Sequence, residues 1–269
     1  MIPIALASIH IYPVKSLGGF SVPEVRLTDR GLDHDRRWML IGPDGRFLSQ
    51  REAPAMACLH CMPHGTGFLV TDTRNGNTVN LPWTLIVGEH VQAHVWDDPL
   101  QLRLGPAHAH EWFSEALERP VRLAYMPDRT VRTTDPRYAD ARVALNDAFP
   151  ALIISQTSLD DLNARLAAPV PMERFRPNFV IAEGKPFQED DWKEISIGAV
   201  RFAIVKPCAR CVIVNTDQQN GERSQEPLRT LATYRSVGNK VRFGMNAVFV
   251  GSGEVRVGDV VRSDDQMIG

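Results

Sequence analysis

Four cysteines in 269 residues are too few to staple a fold together. They form two Cys-x-x-Cys pairs, Cys58/Cys61 and Cys208/Cys211, a usage that suits a reducing compartment and not a disulfide scaffold. Long apolar runs are missing as well, and none approaches the roughly 18 residues of a membrane span. The apolar N-terminus, Met1 to Tyr12, lacks the basic flank of a secretory signal and reads as a first strand. The expected location is therefore cytoplasmic, with no membrane partner. A net charge of −2 argues against general nucleic-acid affinity, although it leaves room for local basic pockets. There is no internal repeat and no low-complexity segment. What remains is 43% hydrophobic and 23% charged, a globular composition with enough chain for one large β-rich domain or two ordinary ones.

The first 125 residues read as a series of hairpins. Ile4 to Val14 is a partly alternating apolar run, and Pro23 to Thr28 alternates cleanly. Gly42-Pro43-Asp44-Gly45 separates Arg37–Ile41 from Arg46–Ser49, and Asn75-Gly76 separates Phe68–Thr73 from Thr78–Leu81; both are strong turn signals. His94–Trp96 and Leu100–Leu104 are further strands. A helix over His110–Leu117 puts Trp112, Phe113, Ala116 and Leu117 on one face, and Val121–Tyr125 follows as a strand. Met126 to Val143 has four arginines and few large apolar residues, which predicts a long surface loop or lid and a boundary near Tyr125.

Beyond the loop, Ala151–Ile154, Asn178–Ile181, Val200–Val205, Cys211–Val214, Ala247–Val250 and Val255–Val261 are strand-like. Ser158-Leu159-Asp160-Asp161 predicts the capped start of a helix with Leu159, Leu162 and Leu166 inward. A second helix is expected over Glu226–Tyr234, with Pro227 in its first turn. Many short strands and few helices predict a β-rich α+β protein built from barrels, with helices at their ends.

Chemistry concentrates at Lys206-Pro207-Cys208-Ala209-Arg210-Cys211. Two thiols lie between β-type runs, and Lys206 and Arg210 are placed to favour a thiolate and attract an anion. Three readings compete: a thiol redox pair, a four-cysteine zinc site shared with Cys58/Cys61, or thiolate ligation of a transition metal. A thioredoxin-like pair would open a helix, whereas β-type sequence resumes here at once. Lys15-Ser16, before Gly18-Gly19, forms either a solvated turn or a phosphate cradle. Cys58-Leu59-His60-Cys61 and His10 read as core positions.

Several of these stretches, taken in order, resemble the MOSC superfamily with its N-terminal β-barrel extension. They are Ile11–Ser16, Asp35–Trp38, Ser155–Asn163, Phe175–Asn178, Cys208–Cys211, Glu226–Leu228 and Val257–Asp259. Their order and spacing are similar to those of the mitochondrial amidoxime-reducing components and their bacterial relatives, over roughly residues 4 to 262. The resemblance implies an N-terminal β-barrel-like domain (1–125) followed by a MOSC β-barrel (126–269) with a few flanking helices.

It also implies a molybdenum cofactor, Mo-molybdopterin, with Cys211 as the metal ligand and catalytic residue. Lys15, Ser16 and Arg36 fall at the positions that hold the cofactor phosphate. Asp147, Arg176 and Asn178 fall near the pterin, with Cys208 and Arg210 beside the metal. Asp217 and Arg51 are weaker candidates. Relatives of this kind reduce small N-hydroxylated compounds such as amidoximes, hydroxylamines and N-hydroxylated bases. No cysteine follows Cys211, so the expectation is a separate electron donor of the ferredoxin, cytochrome b5 or flavin reductase type. Two alternatives stand beside this: a carrier of the cofactor or its sulfur without turnover, and a zinc or thiol redox protein.

Overall fold

A computed structural model describes residues 4–263. Its largest sheet has nine strands and runs in the order Val261–Ser263, Glu194–Ile197, Val200–Ala209, Lys240–Val250, Ala151–Ser155, Phe179–Ala182, Ala5–Ile11 and Phe20–Val22, with Ser236–Val237 hairpinned onto Lys240–Val250. The chain's first strand thus enters the sheet of the second half, pairing antiparallel with Phe179–Ala182. Segment 1–125 also reaches that half through Glu24–Thr28, which pairs with Gly253–Arg256. Ala5 bridges Val260, and the Val261 N–H donates to the Ile4 carbonyl at 2.8 Å, which brings the last strand against the first. Side chains on the enclosed face, among them Leu6, Ile9, Phe179, Ile195, Phe202 and Val261, form one dry core.

The rest of the first half builds two smaller sheets. Trp38–Ile41, Arg122–Tyr125, Asp98–Leu104 and His90–Val95 make one, and Leu59–His64, Gly67–Asp72 and Thr78–Pro82 the other. Helix α1 (Ala107–Ala116) seats Phe113 on Trp38, Phe68 and Leu123 in their shared core. The opposite face of the four-stranded sheet is covered by Met126, Ala144 and Leu145. Helix α2 (Gln156–Asn163) and helix α3 (Leu228–Tyr234) pack Leu159, Leu162 and Leu231 against Phe175 and Phe243 at one end of the large sheet. Among the described residues no helix is long and apolar enough to cross a membrane.

Several local expectations change. Cys211–Val214 is not a strand: Val212–Asn215 is a short 3-10 turn. Strand Val200–Ala209 runs past Val205 through both Lys206 and Cys208, with breaks in its pairing register at Val205 and at Cys208. Helix α2 begins before Ser158. Its cap is Ser155, whose hydroxyl accepts from the Ser158 N–H, and the buried Glu189 carboxylate accepts from both serine hydroxyls. Helix α1 starts a turn early, after Pro106, which offers no side-chain cap to read. Val255–Val261 divides at Gly258 (φ 91). Residues 126–143 are irregular but tied down: the buried Arg132 donates to Asp98 and to the carbonyls of Ala144, Asn146 and Asp147.

Candidate functional site

Both halves contribute to one cleft of about 270 Å³. All nine residues singled out as cofactor or metal contacts line it: Lys15, Ser16, Arg36, Asp147, Arg176, Asn178, Cys208, Arg210 and Cys211. Arg51, Arg174 and Lys206 complete a lining with seven cationic side chains and a single carboxylate, in a protein whose net charge is −2. Backbone strain concentrates here as well. Ser16 (φ 68), Arg36 (φ 46) and Arg176 (φ 54) all take the left-handed conformation. Non-glycine residues adopt it rarely, and such strain clusters at functional sites.

Lys15 leaves the first strand through the Pro13 bend and is 4% exposed, so it is not a solvated turn residue. Its ammonium donates to the Leu145 carbonyl at 2.9 Å and to Asp147 at 2.5 Å. Burial pulls its pKa down to about 8, against the pull of Asp147. Arg36 is held by the buried Asp35, 2.6 Å from Nη1 to Oδ2, and that carboxylate also accepts from the Tyr12 N–H and the Asn146 amide. Arg36 and Arg176 both lie over the Tyr12 ring, at 4.2 and 4.3 Å.

Asp147 sits between two cations. Arg51 donates to its second oxygen at 3.2 Å. Burial would raise the Asp147 pKa, but Lys15 and Arg51 together hold its carboxyl well below the ordinary range. Arg51 in turn is an electrostatic neighbour of Cys211 in the cleft. Burial opposes its charge, yet Asp147 and the Cys211 sulfur keep its pKa raised. A chain of hydrogen bonds thus runs from Lys15 through Asp147 to Arg51, on the cleft wall that also carries Cys211.

On the opposite wall, Arg176 caps the 3-10 turn Met172–Phe175 and is not the extended residue that Pro177 suggested. Its guanidinium donates to the Leu17 carbonyl at 2.6 Å, and burial, with the charge of Arg36, lowers its pKa to about 10. Asn178 lines the cleft and is also bonded within the protein. Its amide accepts from the Leu152 N–H and donates to the His10 carbonyl, so it braces two strands. Arg210 spends two donors on the carbonyls of Phe243 and Phe175. Arg174 is anchored by Asp217 at 2.7 Å, which places Asp217 behind the cleft and not in it.

The four thiols differ sharply. Cys58 and Cys61 are fully buried in the first half; burial raises both, Cys61 to about 12. Cys208 and Cys211 are half-buried in the cleft. The cations near Cys208 do not win as its neighbours Lys206 and Arg210 suggested, because burial raises its pKa despite Arg210. Among the described residues no three His, Cys, Asp or Glu side chains are grouped to hold a metal, so a four-cysteine zinc site has no geometry here.

Cleft residues carry polar atoms with no protein partner: Arg51 Nη1, Arg174 Nε, Arg176 Nη2, Arg210 Nη2 and Asn146 Oδ1. Leaving such groups buried and unpaired costs free energy. Four cationic N–H donors, one acceptor and an accessible soft sulfur fit an anionic pterin carrying a thiolate-seeking metal. Arg51, Arg174 and Asn146 were given little or no weight from sequence. Only the alternation Arg174-x-Arg176 and the pair Asn146-Asp147 hinted at them.

Comparison with known proteins matches residues 4–120 to the MOSC N-terminal beta barrel domain and residues 140–262 to the MOSC domain. Mitochondrial amidoxime reducing component 2 of Rattus norvegicus is 32% identical over 278 residues, covering 95% of this chain and 82% of that protein. Mitochondrial amidoxime-reducing component 1 of Homo sapiens is 31% identical with the same coverage. The molybdenum cofactor sulfurase of Oryza sativa subsp. japonica is 34% identical over 264 residues, but the chain spans only 32% of that protein's length.

Proposed function

The chain belongs to the MOSC family, with the family's N-terminal β-barrel region ahead of the MOSC domain, and from that premise we propose that it is an oxidoreductase that binds a molybdenum cofactor and reduces N-hydroxylated compounds. The observation that carries this reading is the cleft itself. A half-buried Cys211 faces seven cations, and guanidinium N–H groups there lack partners. In this reading Lys15, Ser16 and Arg36 hold the cofactor phosphate, and Arg176 and Arg210 offer free N–H groups to the pterin. Asn146 Oδ1 accepts from it, and Cys211 is the one protein ligand to the metal. When bound, the cofactor supplies the two-electron chemistry that removes oxygen from an N–OH group.

The protein's own contributions are electrostatic and positional. Arg51 is held by Asp147 on the cleft wall that Cys211 also lines. Buried cations lower the cost of bringing an anionic cofactor out of water. The net conversion is R–NHOH + 2 e⁻ + 2 H⁺ → R–NH₂ + H₂O, with the electrons arriving from a separate carrier.

The test is turnover of benzamidoxime by cofactor-loaded protein with reduced methyl viologen. Benzamidine should form, and its formation should be lost in Cys211→Ser. Fully loaded protein that reduces neither benzamidoxime nor 6-hydroxylaminopurine would overturn the reductase. The match across about 90% of the chain to cofactor sulfurases would then favour a carrier. A carrier should pass its cofactor readily to an apo-enzyme, whereas a reductase should retain it.

A further inference from the structure

The hairpin that turns at Gly238 stands beside the cysteine loop and carries charge of one sign. Arg242 pairs with Ala209 across the two longest strands, and the Arg210 N–H donates to the Val241 carbonyl at 2.7 Å. The hairpin arm Ser236–Val241 therefore projects from the same strand pair that holds Cys208. From Pro227 to Gly253 the chain contains Arg229, Arg235, Lys240 and Arg242 and no Asp or Glu, although the whole protein is acidic. Arg229 is spent on Glu226 and Arg235 on Asp190. Lys240 and Arg242 make no ion pair among the described residues. Val237, paired with Lys240 across the hairpin, is 53% exposed, and no atom lies within 4 Å of where a side chain at Gly238 would begin.

Such a surface has a recognisable use. A reductase needs two electrons per turnover, and most protein carriers deliver one at a time, so the complex must form and part quickly. Transient complexes of this kind bury little area and rely on charge complementarity to speed encounter. An exposed valine with the exposed Lys240 across the hairpin from it, and Arg242 two residues further along that strand, suits that requirement. Four residues of strand, about 13 Å, separate the Gly238 turn from Arg242 opposite Ala209. The charges lie outside the cleft, where a small substrate would not use them.

We infer that this basic hairpin docks a small acidic one-electron carrier protein beside Cys211. The inference rests on the reductase reading. Two carrier molecules, each oxidised by one electron, supply the pair consumed with two protons in releasing water from the N–OH substrate.

The test uses holoenzyme and benzamidoxime with two donors, a reduced acidic 2Fe–2S ferredoxin and reduced methyl viologen. In Lys240→Glu/Arg242→Glu the KM for ferredoxin should rise about tenfold, and Lys240→Gln/Arg242→Gln should fall between it and the wild type. Ferredoxin-driven rates of the wild type should drop steeply as salt screens the encounter. Rates with viologen should be unchanged throughout. Ferredoxin kinetics within twofold of wild type, or wild-type activity with viologen and none with ferredoxin, would overturn the docking surface alone. No wild-type activity with either donor would overturn the reductase and the docking surface together.

Discussion

The ammonium of Lys15 lies 2.5 Å from the carboxylate of Asp147, a residue 132 positions further along the chain. Arg51 reaches the other oxygen of the same carboxylate at 3.2 Å. The family resemblance implied a phosphate for Lys15 and a pterin for Asp147. The contact makes them one unit, in which a single carboxylate balances two cations until an anionic ligand arrives.

Removing the carboxylate should be costlier than removing the ammonium. Asp147→Ala leaves a buried Lys15 with no counter-charge, and should destabilise the cofactor-free protein by about 1–3 kcal/mol. Lys15→Met leaves Asp147 half exposed and still paired with Arg51, so the loss should be smaller. Urea unfolding of both variants measures this, and equal stability of Asp147→Ala and wild type would contradict it.

Anion binding in the empty cleft should weaken above about pH 8. Burial holds the Lys15 pKa at about 8, below its ordinary value. An anion beside Lys15 favours its charged form, so binding must take up a proton above that pH. Sulfate does not titrate in this range, and its affinity by calorimetry should fall toward tenfold per pH unit between pH 8 and 10. For folding the sign follows from the same shift. The unfolded state binds more protons between about pH 8 and the ordinary lysine value, so the cost of burying Lys15 is full below pH 8 and relieved as pH rises through that window. Sulfate affinity that is flat with pH would contradict the assignment of Lys15.

Alkylation should separate the cysteines. Thiolates react, and Cys58 and Cys61 are both buried and raised in pKa. Iodoacetamide on folded, cofactor-free protein should modify Cys211 first, with Cys208 slower because burial raises its pKa, and both before the fully buried Cys58 and Cys61, as read by peptide mass spectrometry. Equal rates at all four sites would contradict the burial of the first pair.

Much of this was legible where the signal was local. Asn75-Gly76 produced its hairpin, with Gly67–Asp72 against Thr78–Pro82, because that turn chemistry selects the tight reversal. Gly42 to Gly45 turns as expected, but Arg46–Ser49 forms only single bridges to Ile41 and His94. The Val212–Val214 run was misread because a short apolar stretch serves strand and turn equally. Ser155 replaced Ser158 as the cap of α2 because Glu189, 31 residues beyond Ser158, fixes both hydroxyls. The pairing of Ala5–Ile11 with Phe179–Ala182 has no local signature at all. Arg51 is an ordinary arginine in sequence, and only the fold sets it beside Asp147 in the cleft.

The most direct measurement of the central claim is molybdenum and pterin content, by elemental analysis and oxidised-pterin fluorescence, in wild type, Cys211→Ser and Cys208→Ser from a cofactor-competent host. The account predicts near-stoichiometric molybdenum and pterin in wild type, metal retained in Cys208→Ser, and metal lost or altered in coordination in Cys211→Ser. Well-folded wild type with neither molybdenum nor pterin would contradict it.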